Sequence, residues 1–181
     1  MNNVKEITKI ALFVAIITVC SYITIPLPAV PFTLQTFAVF LACFMLGWWK
    51  AAIAVSVYVL LGMTGAPVFS GIKGGIGVIA GPTGGYIVGF VAQCLCYGLV
   101  TACFGRFKNN AAVKIAASVV GLAVLYVFGT LWYALIYTNG VAENFLAIML
   151  KCVLPFIIPD LAKMAVAFAV ALSVQRILKI A

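Results

Sequence analysis

Long apolar runs dominate the chain, and polar positions fall mostly at their ends rather than alternating within them. About 20 apolar residues are needed to span a bilayer as a helix. Four runs approach or exceed that length and predict spans over Val4–Ile25, Thr83–Phe104, Val113–Tyr137 and Pro159–Ile177. The stretch Thr33–Met63 is long for one span and short for two. It is interrupted by Gly47, Trp48, Trp49 and Lys50, and Trp beside Lys marks a membrane interface. A tight hairpin is therefore predicted, turning at Trp48–Trp49, with short helices over Thr33–Gly47 and Lys50–Met63. Phe145–Val153 is too short to span and predicts an interfacial or re-entrant helix. The fold class expected is an all-α membrane protein with six transmembrane helices. It forms one domain over residues 1–181, with structured outer loops shaping a substrate pocket. The basic start and the run Ile7–Ile25 superficially match a signal peptide. That run is long enough to span and lacks a small-x-small cleavage site, so it is read as a retained helix.

Composition sharpens this picture. Of 181 residues, 66% are hydrophobic and 8% charged, whereas a soluble domain carries about 25% charged residues. The bilayer is the main solvent, and no length remains for a separate soluble catalytic domain. The net charge of +8 is scattered between apolar runs and forms no basic stripe, so nucleic acid is excluded as a partner. Its distribution reads as topology, because Lys and Arg favour cytoplasmic loops. Lys5 and Lys9 lie near the start, Arg176 and Lys179 near the end. Placing both ends in the cytoplasm requires an even number of spans. With six, Lys50, Arg106, Lys108 and Lys114 also face inward, leaving Lys73, Glu143 and Lys151 in or beside outer loops. The inner turns are then short: Trp48–Trp49 and the region Phe107–Asn110. The cysteines Cys20, Cys43, Cys94, Cys96, Cys103 and Cys152 include no C-x-x-C pair, and the chain has no His. A metal centre, a cofactor site and hydrolytic catalysis are not expected.

Prolines and glycines are unevenly placed. All seven Pro, and ten of the sixteen Gly between Gly62 and Gly89, fall on the outer side of this topology. Irregular backbone at membrane depth is tolerated where it is buried in protein or lines a cavity. The loops Ile25–Thr33, Thr64–Thr83 and Thr138–Ile158 are therefore expected to fold together as a lid and pocket. Beside them, Asp160 and Lys163 share a helix face at spacing i, i+3. An ionisable residue within a span costs about 2.5–3.5 kcal/mol on insertion scales and signals function. Pro159 is placed in the first helical turn, where the helix dipole favours Asp160. The glycine-rich segment Gly71–Tyr86 lacks a Gly-Lys-Ser/Thr signature and is not a nucleotide loop. Its backbone N–H groups, at Gly74, Gly75, Gly81 and Gly85 among others, are candidates to face a ligand. The spacing Gly85-x-x-x-Gly89 also suits helix packing. Gln35 offers a donor and an acceptor, and Phe32 a flat apolar wall. Ala11 and Ala15 form a small-x-x-x-small pair that permits close helix contact.

Three segments in order carry a resemblance: Pro31–Gln35, Gly65–Tyr86 and Pro159–Lys163. Together they resemble the BioY family, the biotin-specific S components of energy-coupling factor transporters, along nearly the whole chain. The resemblance implies a non-enzymatic biotin-binding subunit of a bacterial cell membrane, capturing biotin on the extracellular side. Other readings are an S component for another vitamin, or an autonomous carrier or channel. The resemblance also implies that Ala11 and Ala15 meet a membrane-embedded coupling subunit bound to two ATPases. Asp160 suits the ureido N–H groups of biotin. Lys163 suits either the ligand's carboxylate or Asp160 itself. The same match makes Gln35 and Tyr86 the next candidates for polar contacts, and Phe32, Val68 and Phe69 candidates to enclose the ring and tail.

Overall fold

The structure is a computed structural model and describes residues 2–27, 30–105, 110–137 and 145–180. Pro28, Arg106, Phe107, Lys108 and Glu143, which the sequence reading assigned to loops, lie outside the described residues.

Helix α1 (Asn2–Tyr22) ends where Thr24, Ile25 and Pro26 disfavour helix. Strand β1 (Thr24–Ile25) then pairs antiparallel with β2 (Phe32–Thr33), in the register Thr24 to Thr33. The first helix is thus shorter than expected, because its last residues join this small hairpin. Helices α2 (Gln35–Leu46) and α3 (Trp48–Met63) follow. Only Gly47 separates them, at φ +80°, a left-handed backbone open to glycine at little cost. Trp48 and Trp49 therefore open α3 rather than form the turn. After the short α4 (Ile76–Ile79) come α5 (Gly84–Cys103) and α6 (Ala111–Trp132), the latter continued by a π-helical turn over Tyr133–Tyr137. Helix α7 (Phe145–Cys152) is the short helix expected before the last long one.

Helix α8 (Leu154–Ile180) corrects the sequence reading. It begins five residues before Pro159, which lies inside the helix. Asp160 consequently sits in the second turn, where the helix dipole has largely faded. Its carboxylate is held by side chains of other elements and of its own helix rather than by a helix start.

Among the described residues, three helical segments are long and apolar enough to cross a membrane: Gly84–Cys103, Ala111–Ile136 and Leu154–Ile177. Helix α1 has the length of a span, but Lys5, Glu6 and Lys9 crowd its first third. Helices α2 and α3 are apolar and shorter. Apolar side chains fill the interior and also cover much of the surface. Leu12, Val19, Leu60, Leu99, Val127, Leu131, Ile158, Val166 and Ile177 all point outward and exposed, an arrangement suited to a lipid surround.

The interior is dense. α2 lies among α1, α3 and α8, with Ala38, Val39, Phe40 and Ala42 almost wholly buried. α5 and α6 form the closest helix pair, and glycines allow it. A Cβ on Gly85 would lie 2.1 Å from Cβ of Trp132, and one on Gly129 would lie 2.4 Å from the Tyr86 ring. One group stands apart: the side-chain amide of Gln93 in α5 is buried with no hydrogen-bonding partner among the described residues.

One end of the bundle gathers the start of α1, the α2–α3 turn and the last turns of α8. Glu6 pairs with Lys50 and, at 3.4 Å, with Lys9. Gln175 Nε2 donates to the carbonyl of Phe44 at 3.0 Å. The opposite end holds the β-hairpin, the segment between α3 and α5, and the α7–α8 elbow.

Candidate functional site

A cavity of about 520 Å³ opens at that irregular end, within the range of about 300–1,000 Å³ usual for small-molecule sites. Its floor is buried and polar, formed by Gln35 and Thr36 of α2, Tyr126 of α6, and Asp160 and Lys163 of α8. Its mouth is exposed, formed by Leu27, Gly71, Lys73 and Gly77. Between them stand apolar walls from Val30, Phe69, Ile87, Phe90 and Phe156.

The floor is a closed hydrogen-bond network. Asp160 Oδ1 accepts from Thr36 Oγ1 and from Lys163 Nζ, each at 2.8 Å. Asp160 Oδ2 accepts from the Tyr126 hydroxyl at 2.7 Å. Lys163 Nζ also donates to the Thr33 carbonyl at 2.6 Å and to Thr36 Oγ1 at 3.2 Å. Its ammonium rests 3.7 Å from the centre of the Phe32 ring, a cation–π contact. The three donors of Lys163 are therefore engaged by the protein. An ionised carboxylate offers about four acceptor positions, so Asp160 keeps one on Oδ2. Beside it, Gln35 Oε1 accepts from Thr33 Oγ1 at 3.2 Å and Gln35 Nε2 donates to the Tyr58 hydroxyl at 2.7 Å. One N–H of that amide stays available.

The wall above is built by the segment after α3. Phe69 inserts edge-on against Tyr58, with ring centres 5.5 Å apart. It takes the space over Gly62, where a Cβ would lie 1.9 Å from the ring. Phe69 and Lys73 exchange backbone hydrogen bonds, closing a small loop whose tip carries Gly71 and Ile72, both at positive φ. Ser21 Oγ bonds the Val68 carbonyl at 2.6 Å, and the Tyr22 hydroxyl bonds the Pro67 carbonyl at 2.7 Å. The end of α1 thus anchors this loop.

The expected site residues divide. Asp160, Lys163, Gln35, Tyr86, Phe69 and Gly81 line the cavity together. Phe32 lies behind Lys163 and stacks on Phe156 at 6.0 Å. Val68 is half-buried and packs against the core. Gly74, Gly75 and Gly85 are not in the lining. A Cβ on Gly74 would meet the Ala66 carbonyl at 2.3 Å, Gly75 N–H donates to Gly62, and Gly85 faces Trp132. These glycines let backbone meet protein rather than ligand. Ala11 and Ala15 sit exposed on α1, far from the hydrogen-bonded floor in sequence and element. Sequence reasoning missed Thr36 and Tyr126. The available signal was polarity: each is a hydroxyl within a mostly apolar helix.

The BioY family model matches residues 1–180. A biotin transporter BioY of Thermotoga maritima is 39% identical over 173 residues, covering 96% of this chain and 97% of the relative. A probable biotin transporter BioY of Pyrococcus horikoshii is 39% identical over 171 residues, covering 94% and 96%. Among solved structures, the S-component for biotin from an ECF-type ABC transporter superposes with a TM-score of 0.84 at 22% identity, covering 97% of this chain and 93% of the other. At that identity, the superposition speaks to the fold.

Proposed function

The chain belongs to the BioY family, and from that premise we propose that it is the biotin-binding S component of an energy-coupling factor uptake transporter. The floor of the cavity is the observation that carries this reading. Biotin has a fused ring with a ureido group, one carbonyl between two N–H donors. The open acceptor position on Asp160 suits a ureido N–H, and the spare N–H of Gln35 suits the carbonyl. Thr36 and Tyr126 hold the carboxylate in place. Tyr86, Phe69 and Gly81 enclose the ring. Lys163 pairs with Asp160 and spends its other donors on Thr33 and Thr36, which supports a role as partner of Asp160 rather than of the ligand.

In this reading the single domain crosses the bilayer six times, with both termini in the cytoplasm and the cavity outside. Lys5, Lys9, Lys50, Lys114 and Arg176 gather at the end away from the cavity, as cytoplasmic basic residues should. Beneath the cavity the helices close over Phe44, Tyr97 and Phe168, whose rings meet edge-to-face. That plug favours a capturing subunit over an autonomous channel. The exposed Ala11 and Ala15 offer a smooth face of α1 to a coupling subunit, which in turn carries two ATPases. Biotin is cargo here, and the reading requires no cofactor. Purified protein should bind biotin saturably, undisturbed by thiamine or riboflavin. Competition by either vitamin, or no saturable binding, refutes the assignment. Uptake by cells with and without the ATPase module tests the partner assignment.

A further inference from the structure

Among the described residues, three side chains lining the cavity carry formal charge: Asp160, Lys163 and Lys73. The first two cancel, paired at 2.8 Å in the buried floor. Lys73 is different. It is exposed at the mouth, and among the described residues no carboxylate stands within salt-bridge distance of it. The described lining therefore carries one net positive unit, located at the opening. Its placement is built in. Backbone hydrogen bonds with Phe69 hold Lys73 at the end of the closed loop, and its side chain runs back over Gly71, where a Cβ would lie 3.6 Å from Cε. Since the three donors of Lys163 are taken, the free cation that the described residues offer to an anionic group on a ligand is Lys73.

We infer that Lys73 receives the carboxylate of the bound ligand, so that the ligand enters with its neutral ring down and its anionic tail at the mouth. This rests on the assignment of biotin to the cavity, and it adds an orientation and a selectivity for carboxylate-tailed ligands. An exposed ion pair contributes modestly, and a charge-assisted hydrogen bond more. Biotin should accordingly bind about three- to tenfold more tightly than biotinamide, its neutral amide, with the difference shrinking as salt rises. Calorimetric titration of the full-length protein in detergent should show that Lys73→Ala abolishes this preference by weakening biotin alone. Lys73→Arg should restore it, which a merely structural role for Lys73 would not predict. Equal binding of biotin and biotinamide by wild-type protein overturns the inference while leaving the biotin assignment intact. So does an equal weakening of both ligands in Lys73→Ala. A wild-type protein that binds neither overturns the assignment and the inference together.

Discussion

The two ends of this bundle solve opposite problems with the same kinds of residue. At the cavity end, polar groups are numerous, buried and bonded across distant segments: Thr33, Thr36, Tyr126, Asp160 and Lys163 come from three parts of the chain. At the other end, regular helices meet through tight apolar contacts, and charges sit on the surface as the Glu6–Lys50–Lys9 cluster. Aromatic rings fill space at both. The difference is in what supplies specificity. Hydrogen bonds with fixed directions shape one end, and steric fit shapes the other. Substitutions should therefore separate affinity from stability according to the end they touch.

The largest effect is expected where the comparison is sharpest. Lys163→Ala leaves Asp160 buried without its cation, a change that costs about 3–5 kcal/mol in comparable settings. Biotin affinity should drop at least tenfold, with a lower melting temperature in detergent. Asp160→Asn should lower affinity at least tenfold as well, with a smaller loss of stability because shape is kept. Wild-type affinity in both variants would remove the floor from the site. Tyr126→Phe deletes one bond to a charged acceptor, about 1.5–3 kcal/mol, and should weaken biotin by about tenfold with little change in secondary structure by circular dichroism. Gly98→Ala probes the opposite end. Its Cβ would lie 2.4 Å from the Trp48 ring, and overpacking of this kind costs about 1–3 kcal/mol. Thermal unfolding should begin earlier while biotin titrations remain unchanged. A loss of affinity there would mean that the two ends are coupled.

Much of this was legible in the chain, and the reasons differ by region. Helices α5 and α6 follow from the length of their apolar runs, and α7 from the shortness of its own. Asp160 and Lys163 stood out because charge within a span is rare. The start of α8 was misplaced, since proline commonly opens helices and Pro159 here lies within one. The β-hairpin escaped notice because two-residue strands leave no periodic pattern. Glycine was ambiguous for a deeper reason. It is required wherever backbone approaches anything closely, and sequence does not say whether the neighbour is ligand, as proposed at Gly81, or protein, as at Gly74 and Gly85. Tyr126 and Thr36 are single hydroxyls whose meaning depends on Asp160 arriving from another helix.

The Asp160–Lys163 pair also bears on how the chain assembles. Helix α8 is synthesised after α2 and α6, which supply Thr36 and Tyr126. Until it docks, two opposite charges have only each other, in a medium that solvates neither well. Docking gives the carboxylate two hydroxyl donors and the ammonium a carbonyl and an aromatic face. The floor of the cavity thus doubles as the latch that seats the last described helix. An unlatched chain exposes charge to lipid, whereas a latched one has already built the floor of the proposed binding site.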